Sequence, residues 1–222
     1  MIEPIDLGSG GDYSEGSGGG KIKITAKSIQ VDGNITANGG GSGGSYGGGS
    51  GGSIWLITET ISGSGKITAN GENAYSGGGG GGGRIAIYYI DKSGFAGIIS
   101  AKGGPSVISQ SGGAGTVFMK SSAQTNGELI IDNNNVAYSS MTSIVNGTYT
   151  FDSITVSKKS TLNITSGDIL TIGDFNIKEG GIVMQSGNIT INNFVLEGGG
   201  TFYCNAGEFK ATASGINIGN GG

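Results

Sequence analysis

"GENAYSGGGGGGGRIAIYYI" runs from Gly71 to Ile90. Seven glycines in a row end at Arg84, and an apolar, strand-like run begins at once. Glycine loses more backbone entropy on ordering than any other residue. Such a run reads first as a flexible linker. That reading weakens if the run recurs at one fixed place in a repeat, and it does.

The repeat is clearest in the second half. "NGELIIDN", "NGTYTFDS", "SGDILTIG", "SGNITINN" and "AGEFKATA" carry Gly127, Gly147, Gly167, Gly187 and Gly207, each 20 residues from the last. Two positions after each glycine stand Leu129, Tyr149, Ile169, Ile189 and Phe209, with mostly polar residues between the apolar ones. Period-two alternation is the mark of a strand with one buried face. A second alternating stretch offers Ile144, Ile164, Met184 and Cys204 as inward candidates. A third holds Ile154 and Val156, then Phe175 and Ile177, then Phe194 and Leu196.

In the first half "DGNITANGG", "SGKITANGE" and "AGIISAKGG" carry Gly33, Gly65 and Gly97, 32 residues apart, followed at the same offsets by Ile35, Ile67, Ile99 and by Ala37, Ala69, Ala101. The extra residues fall at one corner, just after the marker strand. They are "GGGSGGSYGGGSGGS" from Gly39, "GENAYSGGGGGGG" from Gly71 and "GGPSVISQSGGAG" from Gly103, with "GSGGDYSEGSGGG" from Gly8 in the equivalent place. Polyglycine forms an extended helix with three residues per turn and no internal hydrogen bonds. Arms at one corner of stacked coils are expected to stack on one another in that form.

These features predict an all-β chain: a single-stranded parallel β-helix, or β-solenoid, with coils of about 20 residues. Glycine-rich arms sit at one corner of its N-terminal coils. One continuous solenoid is expected over 1–222, cut from a longer chain, with arm-bearing coils over 1–125 and plain coils over 126–222. The inward column is expected to run unbroken through Ile35, Ile67, Ile99, Leu129, Tyr149, Ile169, Ile189 and Phe209, so that a charge at Ile169 would unfold the rod.

Composition narrows the function. Glycine supplies 50 of 222 residues, histidine is absent and the net charge is −4. Nucleic acid as a partner calls for basic patches, which this balance does not offer. No apolar run is long enough to span a membrane, so membrane insertion is not expected. The start, "MIEPIDLGSGG", lacks the apolar core of a secretion signal, so the expectation is either a protein not secreted in this form or one from which a signal has been removed.

"GGGSGGSIWLITETISGSGKITANG" followed by "GGGGGGGRIAIYY" resembles the glycine-rich β-helical repeats of large surface and adhesin-like proteins of microbes. The arms are similar to the polyglycine sandwiches of phage tail-tip adhesins and of a glycine-rich antifreeze protein. In this chain, however, the glycines do not fall strictly at every third residue. The resemblance covers roughly residues 8–137. It implies an extracellular, cell-surface protein with a structural or adhesive role, and it supplies no catalytic residue.

Polysaccharide-cleaving β-helices need an acid and a base in one cleft. Arg84 reads instead as an anchor for arm carbonyls. Asp132 and Asp152, 20 apart, are expected to lie one above the other, where a calcium ion could bridge them. The plainer reading is two solvated turn aspartates. Cys204 reads as a small core residue. Thr36, Thr68 and Ser100 form a short outward row of the kind that can bind ice, broken at Ile130, Leu170 and Lys210. Tyr13, Tyr46 and Tyr75 fall near the middles of successive arms, the expected tips, where aromatic side chains serve as contact points. Trp55 follows an arm and joins them as a contact candidate.

The reading is a non-catalytic structural and adhesive module that needs no cofactor. Its expected partner is a surface glycan or another surface protein, with end-to-end or side-by-side self-association also open. The alternatives are a glycan-binding or glycan-cleaving β-helix and a self-assembling filament subunit.

Overall fold

The computed structural model describes residues 2–11, 16–41, 46–137, 139–144 and 146–219. Within them the chain is all-β, with no helix. In chain order the first strands are β1 Lys21–Gln30, β2 Asn34–Thr36, β3 Ser53–Ser62, β4 Lys66–Thr68, β5 Arg84–Tyr89, β6 Ile98–Ser100, β7 Thr116–Ser121 and β8 Glu128–Asp132. They are followed by β9 Thr142–Ser143, β10 Thr148–Ser157, β11 Thr161–Ile164, β12 Ile169–Ile177, β13 Ile182–Gln185, β14 Asn188–Leu196, β15 Thr201–Cys204 and β16 Phe209–Ile218.

A nine-stranded sheet runs β1-β3-β5-β7-β8-β10-β12-β14-β16 through the whole molecule. A three-stranded sheet, β2-β4-β6, lies against its first half, and a four-stranded sheet, β15-β13-β11-β9, against its second. Among the described residues every strand pair is parallel except one. At the centre, β7 and β8 run antiparallel, with Phe118 opposite Leu129.

That reversal moves the core to the other side of the sheet. Ile54, Leu56, Ile85 and Ile87 pack with Ile67, Ala69, Val117 and Met119 on one face. Ala86 and Phe118, their alternates on the same strands, pack with Leu129, Ile131, Ile154 and Phe175 on the opposite face. The expected unbroken inward column therefore stops at the seam. Ile35, Ile67 and Ile99 do share one register, but in the small sheet. Leu129 stands in the large one, beside Ile154. The marker glycine precedes strands of two different sheets in the two halves. Thr36, Thr68 and Ser100 also share a register, yet Thr68 is buried.

Local chemistry builds the reversal. Gly127 has φ +77°, and a Cβ on it would approach the Phe118 ring at 2.7 Å. The Asp152 carboxylate accepts from the Asn126 and Gly127 amides at 3.0 and 2.9 Å and ties the turn to β10. Burial alone would raise the pKa of Asp152. The amide bonds from Asn126 and Gly127, together with the Lys120 charge, outweigh it and hold the carboxyl below its ordinary value.

Register in the second half also differs from the expected period of 20. The column in the second half is Tyr149, Leu170, Ile189 and Phe209, while Ile169 pairs with Thr148 and Asn188 and is 49% exposed. Asp168 causes the shift. Fully buried, it turns its carboxylate onto the Thr165 amide and hydroxyl and closes the corner from within. One extra corner residue moves the strand by one, and a slip of one exchanges the two faces. The same slip puts Gln185 inside next to Ile164 and leaves Met184 only half-buried. Cys204 lies in register with Gln185 on β15, at the edge of the four-stranded sheet, and is exposed, not a core residue.

Leu170→Asp should therefore remove the cooperative thermal transition, because an unpaired charge in this core costs more than about 4 kcal/mol. Ile169→Asp should change stability by no more than about 0.5 kcal/mol. Thermal unfolding of the two variants, followed by circular dichroism, separates the two registers.

Candidate functional site

Backbone bonding sets the position of the glycine-rich segments, which carry Tyr46 and Tyr75. Gly48 donates to the Gly78 carbonyl at 3.0 Å and Gly51 to Gly81 at 2.9 Å. One arm further on, Gly79 donates to Gln110 at 3.0 Å and Gly82 to Gly113 at 2.9 Å. Donors and acceptors both step by three residues. Other amides of the run turn elsewhere: Gly80 to Glu72 at 2.9 Å and Gly83 to Ala69 at 2.7 Å, within their own repeat, while Arg84 reaches back to Gly52 at 2.8 Å.

Glycine is required here by close approach. A Cβ on Gly79 would overlap the Gly104 carbonyl, on Gly80 the Gly49 carbonyl, and on Gly82 the Ala101 carbonyl. Gly78 and Gly81 are different: their nearest neighbours would be Gln110 O at 3.6 Å and Ser50 Oγ at 3.8 Å, ordinary contacts. The third glycine-rich segment is covered by the start of the second half, where Ser140 donates to Ser111 O and Thr142 Oγ1 donates to Ala114 O at 2.5 Å.

The middles of successive glycine-rich segments meet. Val107 donates to Ala74 O and Ile108 to Tyr75 O, at 3.3 and 3.2 Å. Ser106 Oγ donates to Gly77 O at 2.7 Å, and Gly77 itself lies hard against the Tyr46 backbone. This brings Tyr46 and Tyr75 into one edge with Val107 and Ile108, with exposures of 43% and 56% for the tyrosines and 68% for both aliphatics. Tyr13 lies outside the described residues.

Trp55 is not part of that edge. It sits on β3, half-buried, under the Lys23 ammonium at 3.6 Å from the ring centroid, with its Nε1 lacking a hydrogen-bond partner. Among the described residues the Arg84 guanidinium pairs with Asp6, at 3.1 Å, and with no arm carbonyl. Beside it Ser53 Oγ donates to Asp6 O and Tyr88 Oη to Ile2 O, so residues 2–6 cross the outer face of the first half.

The two aspartates are kept apart. Asp132 pairs in register with Ser157 and binds Lys158 Nζ at 2.8 Å, whereas Asp152 lies five residues earlier on β10 and caps the seam turn. The strand rise of about 3.3 Å per residue puts them roughly 16 Å apart, too far for one ion to bridge. The hydrogen bond from Lys158 to Asp132, with help from that charge, raises the lysine pKa.

No protein-family model matches the chain, and comparison with curated proteins and with solved structures finds no match.

The spacing of the glycine contacts makes a sharp contrast. Gly80→Val should destabilise by about 3 kcal/mol, because a branched side chain displaces the Gly49 carbonyl and breaks the bonds around it. Gly81→Ala should be neutral or stabilise by up to about 1 kcal/mol, by narrowing the unfolded ensemble. Denaturant melts of both variants check this.

Proposed function

We propose that the chain is a β-solenoid whose glycine-rich arms stack as polyglycine helices. It serves as a structural and adhesive module of an extracellular surface protein, and the arm tips are its contact edge. The observation that carries this is the three-residue step of the bonds from Gly48 and Gly51 to Gly78 and Gly81, repeated from Gly79 and Gly82 to Gln110 and Gly113. Three residues per turn is the pitch of the polyglycine helix. A side-chain-free lattice is stiff only because its backbone groups are bonded. It offers no chemistry of its own, so recognition falls to the residues at its rim.

Those residues suit a contact edge. Tyr46, Tyr75, Val107 and Ile108 are exposed and uncharged. Backbone bonds join Val107 to Ala74 and Ile108 to Tyr75, and Gly77 lies against the Tyr46 backbone. Pre-organised aromatic groups bind with little ordering cost. The partner is a surface glycan or another surface protein. Asp132 and Asp152 are each engaged structurally, Asp132 by Lys158 and Asp152 by the seam turn. Placement outside the cell rests on the resemblance to microbial surface repeats.

A glycan array and a cell-retention assay with the immobilised protein test the proposal. Tyr46→Ala combined with Tyr75→Ala should lower retention at least tenfold with stability changed by no more than about 1 kcal/mol. Undiminished retention by the double variant would leave the protein a scaffold without this contact edge.

A further inference from the structure

The three-stranded sheet stops one strand early. Its order is β2-β4-β6, while the nine-stranded sheet opposite continues through β7 into β8. Beyond β6 lies a cleft of about 360 Å³. Ile98 and Ile99 form one wall, Val117, Met119 and Ile130 the floor, and the Asp132–Lys158 pair the far rim. This volume lies within the range of ligand pockets.

The wall is an open strand edge. Ile98 donates to Gly65 O at 3.0 Å, and Ser100 O accepts from the Ala69 amide at 2.9 Å. Residues of a parallel strand alternate in the neighbour they bond. With Ile98 and Ser100 turned to β4, the N–H and C=O of Ile99 face the cleft. The side chains tell the same story: Ile67, covered on both sides, is fully buried, while Ile99 in the same column is only half-buried.

The edge also lacks protection. Free edges are normally blunted by charge, lysine above all. At the far side of the large sheet, edge strand β1 carries Lys21, Lys23 and Lys27. At β6 the corresponding exposed side chain is Ile98, 55% exposed.

We propose that this seam cleft is a strand-addition site. It takes a short extended peptide segment of a partner protein, with an aliphatic residue at its centre, as the fourth strand of the small sheet. Continuity with an existing interface identifies the occupant. The β2·β4 and β4·β6 pairings repeat one register, Ile35 to Ile67 to Ile99, and the cleft is the next position in that series. Main-chain bonds to the edge supply affinity, and the apolar floor selects the central side chain. The site stands apart from the arm tips and does not depend on their role.

The probe is the peptide GIISAKG, acetylated and amidated, which copies residues 97–103 and would add to β6 as β6 adds to β4. Titrated into the full chain, it should shift the NMR signals of Ile99, Met119 and Ile130. At saturation it should slow exchange of the Ile99 amide about tenfold. N-methylation of its first isoleucine, which removes the amide facing β6, should weaken binding at least tenfold. So should aspartate in place of its second isoleucine. Absence of any shift at roughly millimolar peptide, the weak limit expected for so small a contact, would overturn the proposal. So would equal binding of the N-methylated peptide, or occupation by free indole where the peptide does not bind, since either makes the cleft an apolar hole and not a strand site.

Discussion

A carbonyl oxygen occupying the place of a Cβ is the constraint on which the glycine run Gly77–Gly83 depends. At Gly79, Gly80 and Gly82 any side chain would collide with a neighbouring backbone carbonyl, from Gly104, Gly49 and Ala101. Glycine costs about 0.5–1 kcal/mol of extra ordering entropy per residue relative to alanine. A backbone hydrogen bond returns about 1 kcal/mol net, while a buried amide left without a partner costs about 1–3 kcal/mol. The arms are thus near balance when every amide is bonded and clearly unfavourable otherwise. Order in them is collective: one arm cannot loosen without orphaning amides or carbonyls on its neighbours.

The seam shows a second constraint at work. The stack of strands continues along one axis from β1 to β16, but strand direction reverses between β7 and β8. For a chain that coils with one hand, reversing the strand while the stack keeps its direction must also reverse the inward normal. The core does change faces, from the Ile54–Ile85 side to the Leu129–Ile154 side. In a chain that coils, the two reversals together leave the hand unchanged, in keeping with the uniform handedness of parallel crossovers. The change of face also produces the cleft, since it removes the small sheet from one side of the large one and starts another on the opposite side.

Much of this was legible in the residues. Alternation found the strands, the equal offsets of Ile35, Ile67 and Ile99 found a true column, and the even placement of Tyr46 and Tyr75 found neighbouring tips. What the period of 20 hid was the corner. Asp168 looks like one more polar turn residue, yet its buried carboxylate shifts the strand by one and turns Ile169 outward. Gly127 looked like one marker among eight, though its positive φ serves the reversal. A glycine gives no sign of which sheet the next strand will join. That depends on a partner such as Asp152, 25 residues away in sequence. Trp55 and Arg84 were read through their nearness to arms, whereas their contacts, Lys23 and Asp6, come from elsewhere in the chain.

Residue-resolved hydrogen exchange across Gly77–Gly83 tests the central claim most directly. The amides of Gly79, Gly80, Gly82 and Gly83 each have a carbonyl partner at 2.7–3.0 Å. They should exchange as slowly as those of β3 and β5, because opening them requires opening the stack. Rapid exchange of all seven, with the strands still protected, would contradict an ordered polyglycine layer and return the run to a linker.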